Sequence, residues 1–188
     1  MALLSYQICL LYTSQHIAAA QAQVSRQCGR EVVEFQCSRI KSPDSIVRKL
    51  TKKGYPVSVK KAAEKLNDIA GVRVVCDYMD DIYALRKLLL KTDDLVLIKE
   101  KDFIKSPKKS GYRSLHLIFD VPVVLNKKQE AVRVEVQLRT VIMDFWARLD
   151  HQTRYKHNTV NVKEAFHELN ECAQIGEAMD KKMLKPPI

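Results

Sequence analysis

Ala131–Thr140 reads AVRVEVQLRT and alternates without a break. Val132, Val134, Val136 and Leu138 fall on one side, and Arg133, Glu135, Gln137 and Arg139 on the other. A period of two over this length predicts a β-strand with one buried face. The second face is the informative one. Two guanidinium groups, a carboxylate and an amide stand in a row, about 7 Å apart at each step of two residues. Such a row suits a metal-bound anion, with the carboxylate on the cation and the arginines on phosphate oxygens. It also suits a plain amphipathic strand with its charges in water, and the strand alone does not separate the two.

The neighbouring segments sharpen the choice. Ser114–Val121 predicts another strand, with Leu115, Leu117, Phe119 and Val121 on one face and His116 on the other. Before it lies a polar loop, Asp102–Arg113 (DFIKSPKKSGYR), in which Lys105, Lys108, Lys109 and Arg113 surround Tyr112 and Gly111 supplies backbone freedom. Cations interleaved with an aromatic suit stacking on a base and neutralising its phosphates, although a solvated lysine-rich loop has the same composition. A loop at Asn126–Glu130 precedes the organising strand, and Thr140 after it is positioned to cap a helix carrying Met143, Asp144, Phe145, Trp146, Leu149 and His151. Val162–Leu184 reads as a further amphipathic helix before Pro186-Pro187.

Toward the N-terminus, Glu31–Lys41 is strand-like. Ser42-Pro43-Asp44 then supplies an N-cap, a proline at the first helical position and an acidic first turn. The helix that follows runs to Lys53 and stops at Gly54; it carries Arg48, Lys49, Lys52 and Lys53, with Arg39 and Lys41 just ahead. Cations beside a helix N-terminus form either a phosphate cradle or a solvated basic face. Val57–Leu66 is a short helix, and Asn67-Asp68 leads into a strand at Val72–Tyr78, which places Asp68 at the mouth of that strand. Arg73 and Val75 share the face opposite Val72 and Val74. Asp81–Thr92 is an amphipathic helix and Leu95–Lys101 a strand. Gln15–Cys28 is helical, stopped near Gly29, while residues 1–14 match the rest poorly and read as a frayed start.

Composition narrows the function classes. The 188 residues suit one domain with helical extensions, and a net charge of +10 points to a polyanionic partner: nucleotide, nucleic acid or anionic membrane. Five cysteines, odd in number and never in a C-x-x-C pair, favour reduced thiols in a cytoplasmic protein over disulfides or a zinc site. No apolar run reaches the roughly 18 residues of a membrane span. No Lys or Arg precedes Arg26, so the charged start of a signal peptide is missing. The element order predicts an α+β fold: a mixed, mainly antiparallel sheet flanked by helices. The divisions are a helical but uncertain segment at 1–30, a main domain at 31–157 and a helical extension at 158–188.

Four blocks in order carry a family resemblance: SRIKSPDSI (Ser38–Ile46), DIAGVRVVC (Asp68–Cys76), SGYRSLHL (Ser110–Leu117) and EVQLRTVIMDFWARLDH (Glu135–His151). The chain resembles the RelA/SpoT-type synthetase domain, and its spacing is similar to that of the stand-alone small alarmone synthetases. That resemblance implies a nucleotidyltransferase-like domain that moves the β,γ-diphosphate of ATP to the 3′-hydroxyl of GDP or GTP. It implies Mg2+ held by Asp68 and Glu135, with Glu135 accepting the hydroxyl proton. Arg39 and Arg73 would sandwich the adenine, and Lys41, Ser45, Lys49 and Lys52 would hold the ATP phosphates. Tyr112 would stack on guanine, Lys108 and Arg113 would meet the acceptor phosphates, and Lys101, His116 and Gln137 would line the acceptor site. Lys101 stands where many members carry arginine. Asp144 stands where some carry asparagine, so it serves either as a reader of guanine or as a helix-start carboxylate. The resemblance further implies a homotetramer and, with no His-Asp dipeptide in the chain, no hydrolase activity. The competing classes are another magnesium-dependent nucleotidyltransferase and a basic RNA-binding module; the second would not need Asp68 and Glu135 among its cations.

Overall fold

The computed structural model describes residues 2–125, 127–156 and 162–183. Its elements, in chain order, are α1 (Ala2–Cys28), β1 (Val33–Ile40), α2 (Pro43–Lys52), α3 (Val59–Lys65), β2 (Ala70–Cys76), α4 (Met79–Leu89), β3 (Val96–Asp102), β4 (Leu115–Leu125), β5 (Lys128–Thr140), α5 (Val141–Lys156) and α6 (Val162–Lys182). The strands form one sheet in the order β1-β2-β5-β4-β3. Only the β2–β5 pairing is parallel; β1–β2, β5–β4 and β4–β3 are antiparallel. The expected mixed, mainly antiparallel α+β architecture is therefore present.

Alternation sets which face is buried. Val134, Val136 and Leu138 of β5 stand in register with Ala70, Val72 and Val74 of β2, and with Phe119, Leu117 and Leu115 of β4. All are buried, and α1 and α4 cover them through Ile17, Val24, Ile82, Leu85 and Leu89. Burying each such side chain stabilises the fold by about 1.5–3 kcal/mol. A one-residue slip would carry the whole set to the other face, so this core also locks the register. The opposite face then holds two rows across the sheet. One runs Arg39, Gly71, Glu135, Ile118 and Lys99; the other runs Cys37, Arg73, Gln137, His116 and Lys101.

The boundaries differ from expectation most in two places; elsewhere β2 spans Ala70–Cys76, α4 spans Met79–Leu89 and β4 runs on to Leu125. Strand β5 starts at Lys128 rather than after Glu130, with Lys128 paired to Leu125 and Lys127 beside it at φ 62°. Residues 128–131 are exposed, so no alternation marks them in the sequence. The second correction is larger. Helix α1 begins at Ala2, not Gln15, and its first half packs on the sheet. Its buried stripe is Ser5, Cys9, Thr13, Ile17, Ala20 and Val24, spaced by three or four residues. Ser5 and Thr13 interrupt the hydrophobic pattern, which hid the helix; Thr13 donates its hydroxyl to the Cys9 carbonyl at 2.7 Å. The expected division at 157/158, Asn126 of the predicted loop, and Leu184 with Pro186-Pro187 lie outside the described residues.

Because Ile17 is 0% exposed, Ile17→Ala is expected to lower the unfolding free energy by about 2–5 kcal/mol. Urea titration reads the change. A loss under half a kilocalorie would mean that α1 is not part of the core.

Candidate active site

The polar rows are surrounded by helix α2, the loop between β3 and β4, and helix α5, and two cavities open there. A narrow recess is lined by Cys37, Ser38, Arg39, Asp68, Gly71, Val72, Arg73, Glu135 and Gln137. An open cleft of about 540 Å³ is lined by Lys49, Asp68, Lys101, Phe103, Lys108, Ser110, Tyr112, His116, Glu135, Gln137 and Asp150. Asp68, Glu135 and Gln137 belong to both. Cations surround two carboxylates, the arrangement expected of a site for phosphorylated ligands.

Asp68 precedes β2 and its Oδ2 accepts from Lys49 Nζ at 2.6 Å and Lys41 Nζ at 3.0 Å. Its Oδ1 is buried without a hydrogen-bond partner. Burial pushes the carboxyl up, but the two lysines outweigh it and hold Asp68 below the usual carboxylate range. Lys49 comes from α2, whose start is fixed by the expected Ser42 cap and by Pro43. Ser45 is spent locally, accepting from the Ser42 hydroxyl at 2.9 Å and from Arg48 at 3.2 Å. Lys52 is exposed one turn past Lys49 and lines neither cavity.

Glu135 is only 8% exposed. Its Oε1 meets His116 Nδ1 at 3.1 Å, and its Oε2 accepts from Gln137 Nε2 at 2.8 Å. Burial again raises the carboxyl, and His116 and Gln137 more than reverse it, so Glu135 also sits below its ordinary value. His116 Nε2 lies 2.8 Å from the Tyr112 hydroxyl, which also accepts from Arg139 at 2.9 Å. Lys108 Nζ lies 4.4 Å from the centre of the Tyr112 ring and 4.6 Å from that of Phe103. Burial, and then the charge of Lys101, lowers its pKa.

The two arginines of the organising strand are engaged inside the protein, contrary to both readings of the row. Arg133 pairs with Asp120 at 2.8 Å. Arg139 pairs with Asp144 at 3.0 Å and donates to Gln137 at 2.8 Å. Asp144 is 1% exposed and also lies 3.2 Å from Arg73 and 3.3 Å from Arg148. It is a shared counter-ion for arginines rather than a carboxylate facing the open cleft. Arg113 is likewise turned away, paired with Asp180 of α6 at 2.9 Å. Sequence reasoning did not single out Gly71, Cys37, Phe103, Ser110 or Asp150 as site residues. Gly71 gives a usable signal only once β2 is seen to start at Ala70, since glycine inside a strand marks a place where something approaches the backbone; the others depend on register and loop path.

Both lowered carboxyls titrate below their unfolded values. The stability they contribute is thus complete above about pH 4 and is lost as pH falls through the folded values. With chelator present, Asp68→Asn is expected to make the loss of stability below about pH 4 shallower, read by urea titration across the acid range. An unchanged slope would contradict the ion-paired Asp68 seen here.

Comparison with known proteins agrees with this geometry. A region found in RelA/SpoT proteins matches residues 38–160. The chain is 46% identical over 156 residues to the GTP pyrophosphokinase YwaC of Bacillus subtilis, covering 83% of this chain and 74% of that protein. It is 32% identical over 151 residues to the GTP pyrophosphokinase YjbM of the same organism, covering 80% and 70%. The crystal structure of small alarmone synthetase 2 from B. subtilis matches with a TM-score of 0.86 at 40% identity, over 97% of this chain and 94% of that one. Small alarmone synthetase 1 from B. subtilis, bound to its product pppGpp, matches with a TM-score of 0.86 at 28% identity, over 96% and 92%. With the matched region holding β2 to β5, the lining of the cleft and both carboxylates, the chain belongs to the RelA/SpoT family.

Proposed function

We propose that this chain transfers the β,γ-diphosphate of ATP to the ribose 3′-hydroxyl of GDP or GTP, giving ppGpp or pppGpp and AMP. One observation carries this: two cation-lined cavities share Asp68, Glu135 and Gln137. Transfer between two nucleotides needs two pockets that meet at the reacting atoms. The recess, flanked by Arg39 and Arg73, suits the adenine, because planar guanidinium groups stack on a base. Lys41, Lys49 and the start of α2 suit the ATP phosphates, with Ser45 and Lys52 further along the same helix. The cleft suits the acceptor: Tyr112 offers a ring to guanine once Lys108 moves from its face to the phosphates, and Lys101 stands alongside.

Glu135 is placed to take the proton of the attacking hydroxyl. His116 and Gln137 fix both of its oxygens, so the acceptor meets a carboxylate that is already oriented. Asp144 keeps Arg73 in the recess and Arg139 against Tyr112. We assign it this holding role because its Oδ1 is shared by Arg73 and Arg139 and the residue lines neither cavity.

The donor set fits magnesium. Among the described residues no group of three or more His, Cys, Asp or Glu forms a metal cluster. Magnesium bound mainly through substrate phosphates needs only one or two carboxylates; Asp68, whose Oδ1 has no hydrogen-bond partner, would be one and Glu135 the second. When bound, the ion supplies charge neutralisation at the phosphate oxygens.

The test is product separation from ATP labelled in the γ-phosphate and, separately, the α-phosphate, with GDP as acceptor. The γ-label is expected in a tetraphosphate product and the α-label in AMP; an α-label in the product would show nucleotidyl transfer instead. Glu135→Gln is expected to lose roughly a hundredfold or more in turnover while retaining ATP affinity. Near-normal turnover of this variant would overturn the assignment.

A further inference from the structure

The loop carrying Tyr112 does not stand free. Its Gly111 has φ 84°, and a Cβ built there would lie 2.5 Å from the Ala173 Cβ of α6, so loop and helix meet backbone to side chain with no spare room. The next arginine in the loop, Arg113, is 6% exposed and forms its ion pair with Asp180, itself 5% exposed. Asp180 also hydrogen-bonds the Thr140 side chain at the end of β5. Between these two contacts Trp146 of α5 donates Nε1–H to the Leu169 carbonyl of α6 at 2.7 Å and stands edge-on to the Tyr112 ring, with centroids 6.4 Å apart. Tyr112 packs on the small cluster of Trp146, Leu169 and Ala173.

A buried, charge-assisted pair is costly to place and is strongly destabilising to break. Here it lies away from the cleft and joins the end of one helix to the loop that carries the stacking aromatic. Tyr112 in turn accepts through its hydroxyl from Arg139 and lies within hydrogen-bond distance of His116. A shift of this loop therefore moves the ring face and the support of Glu135 together.

We propose that α6 is the clamp of the acceptor site, with Asp180 the positioning residue that, through Arg113, sets where Tyr112 stands. This rests on the cleft being the acceptor pocket. It replaces a direct phosphate contact for Arg113 with a structural link, and it makes acceptor affinity depend on a helix that touches neither nucleotide. Anything that binds or displaces α6 would then act on the acceptor and not on ATP.

The experiment compares wild type, Asp180→Asn, Arg113→Asp, the exchanged pair Arg113→Asp with Asp180→Arg, and Ala173→Leu, which wedges α6 off Gly111 without altering charge. Two quantities are read on each variant: the KM values for GDP and ATP, and GDP binding followed by the emission of Trp146, the chain's single tryptophan. Asp180→Asn and Ala173→Leu are expected to raise the GDP KM roughly tenfold or more, within the hundredfold that a misplaced group costs. The ATP KM should stay within about twofold, and the exchanged pair should recover much of the loss suffered by Arg113→Asp. Three results would overturn the proposal. The first is an unchanged GDP KM in folded Asp180→Asn and Ala173→Leu. The second is a rise in Arg113→Asp that the exchange does not recover while Asp180→Asn stays normal, which would make Arg113 a direct ligand. The third is an equal rise in both KM values. Should Asp180→Asn fail to fold, Ala173→Leu decides alone. Should wild type bind GDP by Trp146 emission but make no tetraphosphate, the transfer reading fails while the binding arm still tests the clamp.

Discussion

Keeping Glu135 ionised under nine-tenths cover at the middle of a sheet is the constraint on which the site depends. Burial raises a carboxyl, and here the hydrogen bonds of His116 and Gln137 and the charge of His116 more than reverse it. Both partners are delivered by strand register: Gln137 by the period of β5 itself, His116 by its pairing opposite Gln137 on β4. Register is in turn fixed by the apolar face beneath. The hydrophobic core and the electrostatics of the site are thus two faces of the same alternation.

The single parallel pairing does the rest. Because β2 lies parallel to β5 with Gly71 opposite Glu135, the chain just before β2 puts Asp68 beside the same spot. A side chain at position 71 would fill the recess floor, and glycine leaves it open. Two carboxylates then sit at the meeting point of two cavities, one lined by Arg39 and Arg73 and the other by Lys49, Lys101 and Lys108. Repulsion between Asp68 and Glu135 is offset by Lys41 and Lys49 on one side and His116 on the other. A divalent ion with nucleotide phosphates would relieve it further.

Much of this was legible in the sequence, for identifiable reasons. The alternation of β5, the Ser42 cap and the Thr140 cap depend on local chemistry, and each stands where the sequence puts it. Asp68, Glu135, Gln137, His116 and Tyr112 converge as their blocks suggested. What the sequence hid was set by packing. Arg139 and Arg113 look like free cations until the turn into α5 brings Asp144 against the first and α6 brings Asp180 against the second. The first turns of α1 looked irregular because Ser5 and Thr13 lie on their buried stripe. Phe103 and Asp150 reach the cleft through loop path and helix phase, which no spacing rule records.

The claim that the two cavities form one reaction centre around Glu135 has a direct measurement. It is the distance from the acceptor's 3′-oxygen to the nearest Glu135 oxygen, in a crystal of this chain with GDP and a non-transferable ATP analogue. A separation of about 2.6–3.2 Å, with the adenine between Arg39 and Arg73 and the β-phosphorus next to the 3′-oxygen, is the predicted result. An acceptor whose 3′-oxygen lies out of hydrogen-bond reach of Glu135, or an ATP analogue bound outside the recess, would contradict it.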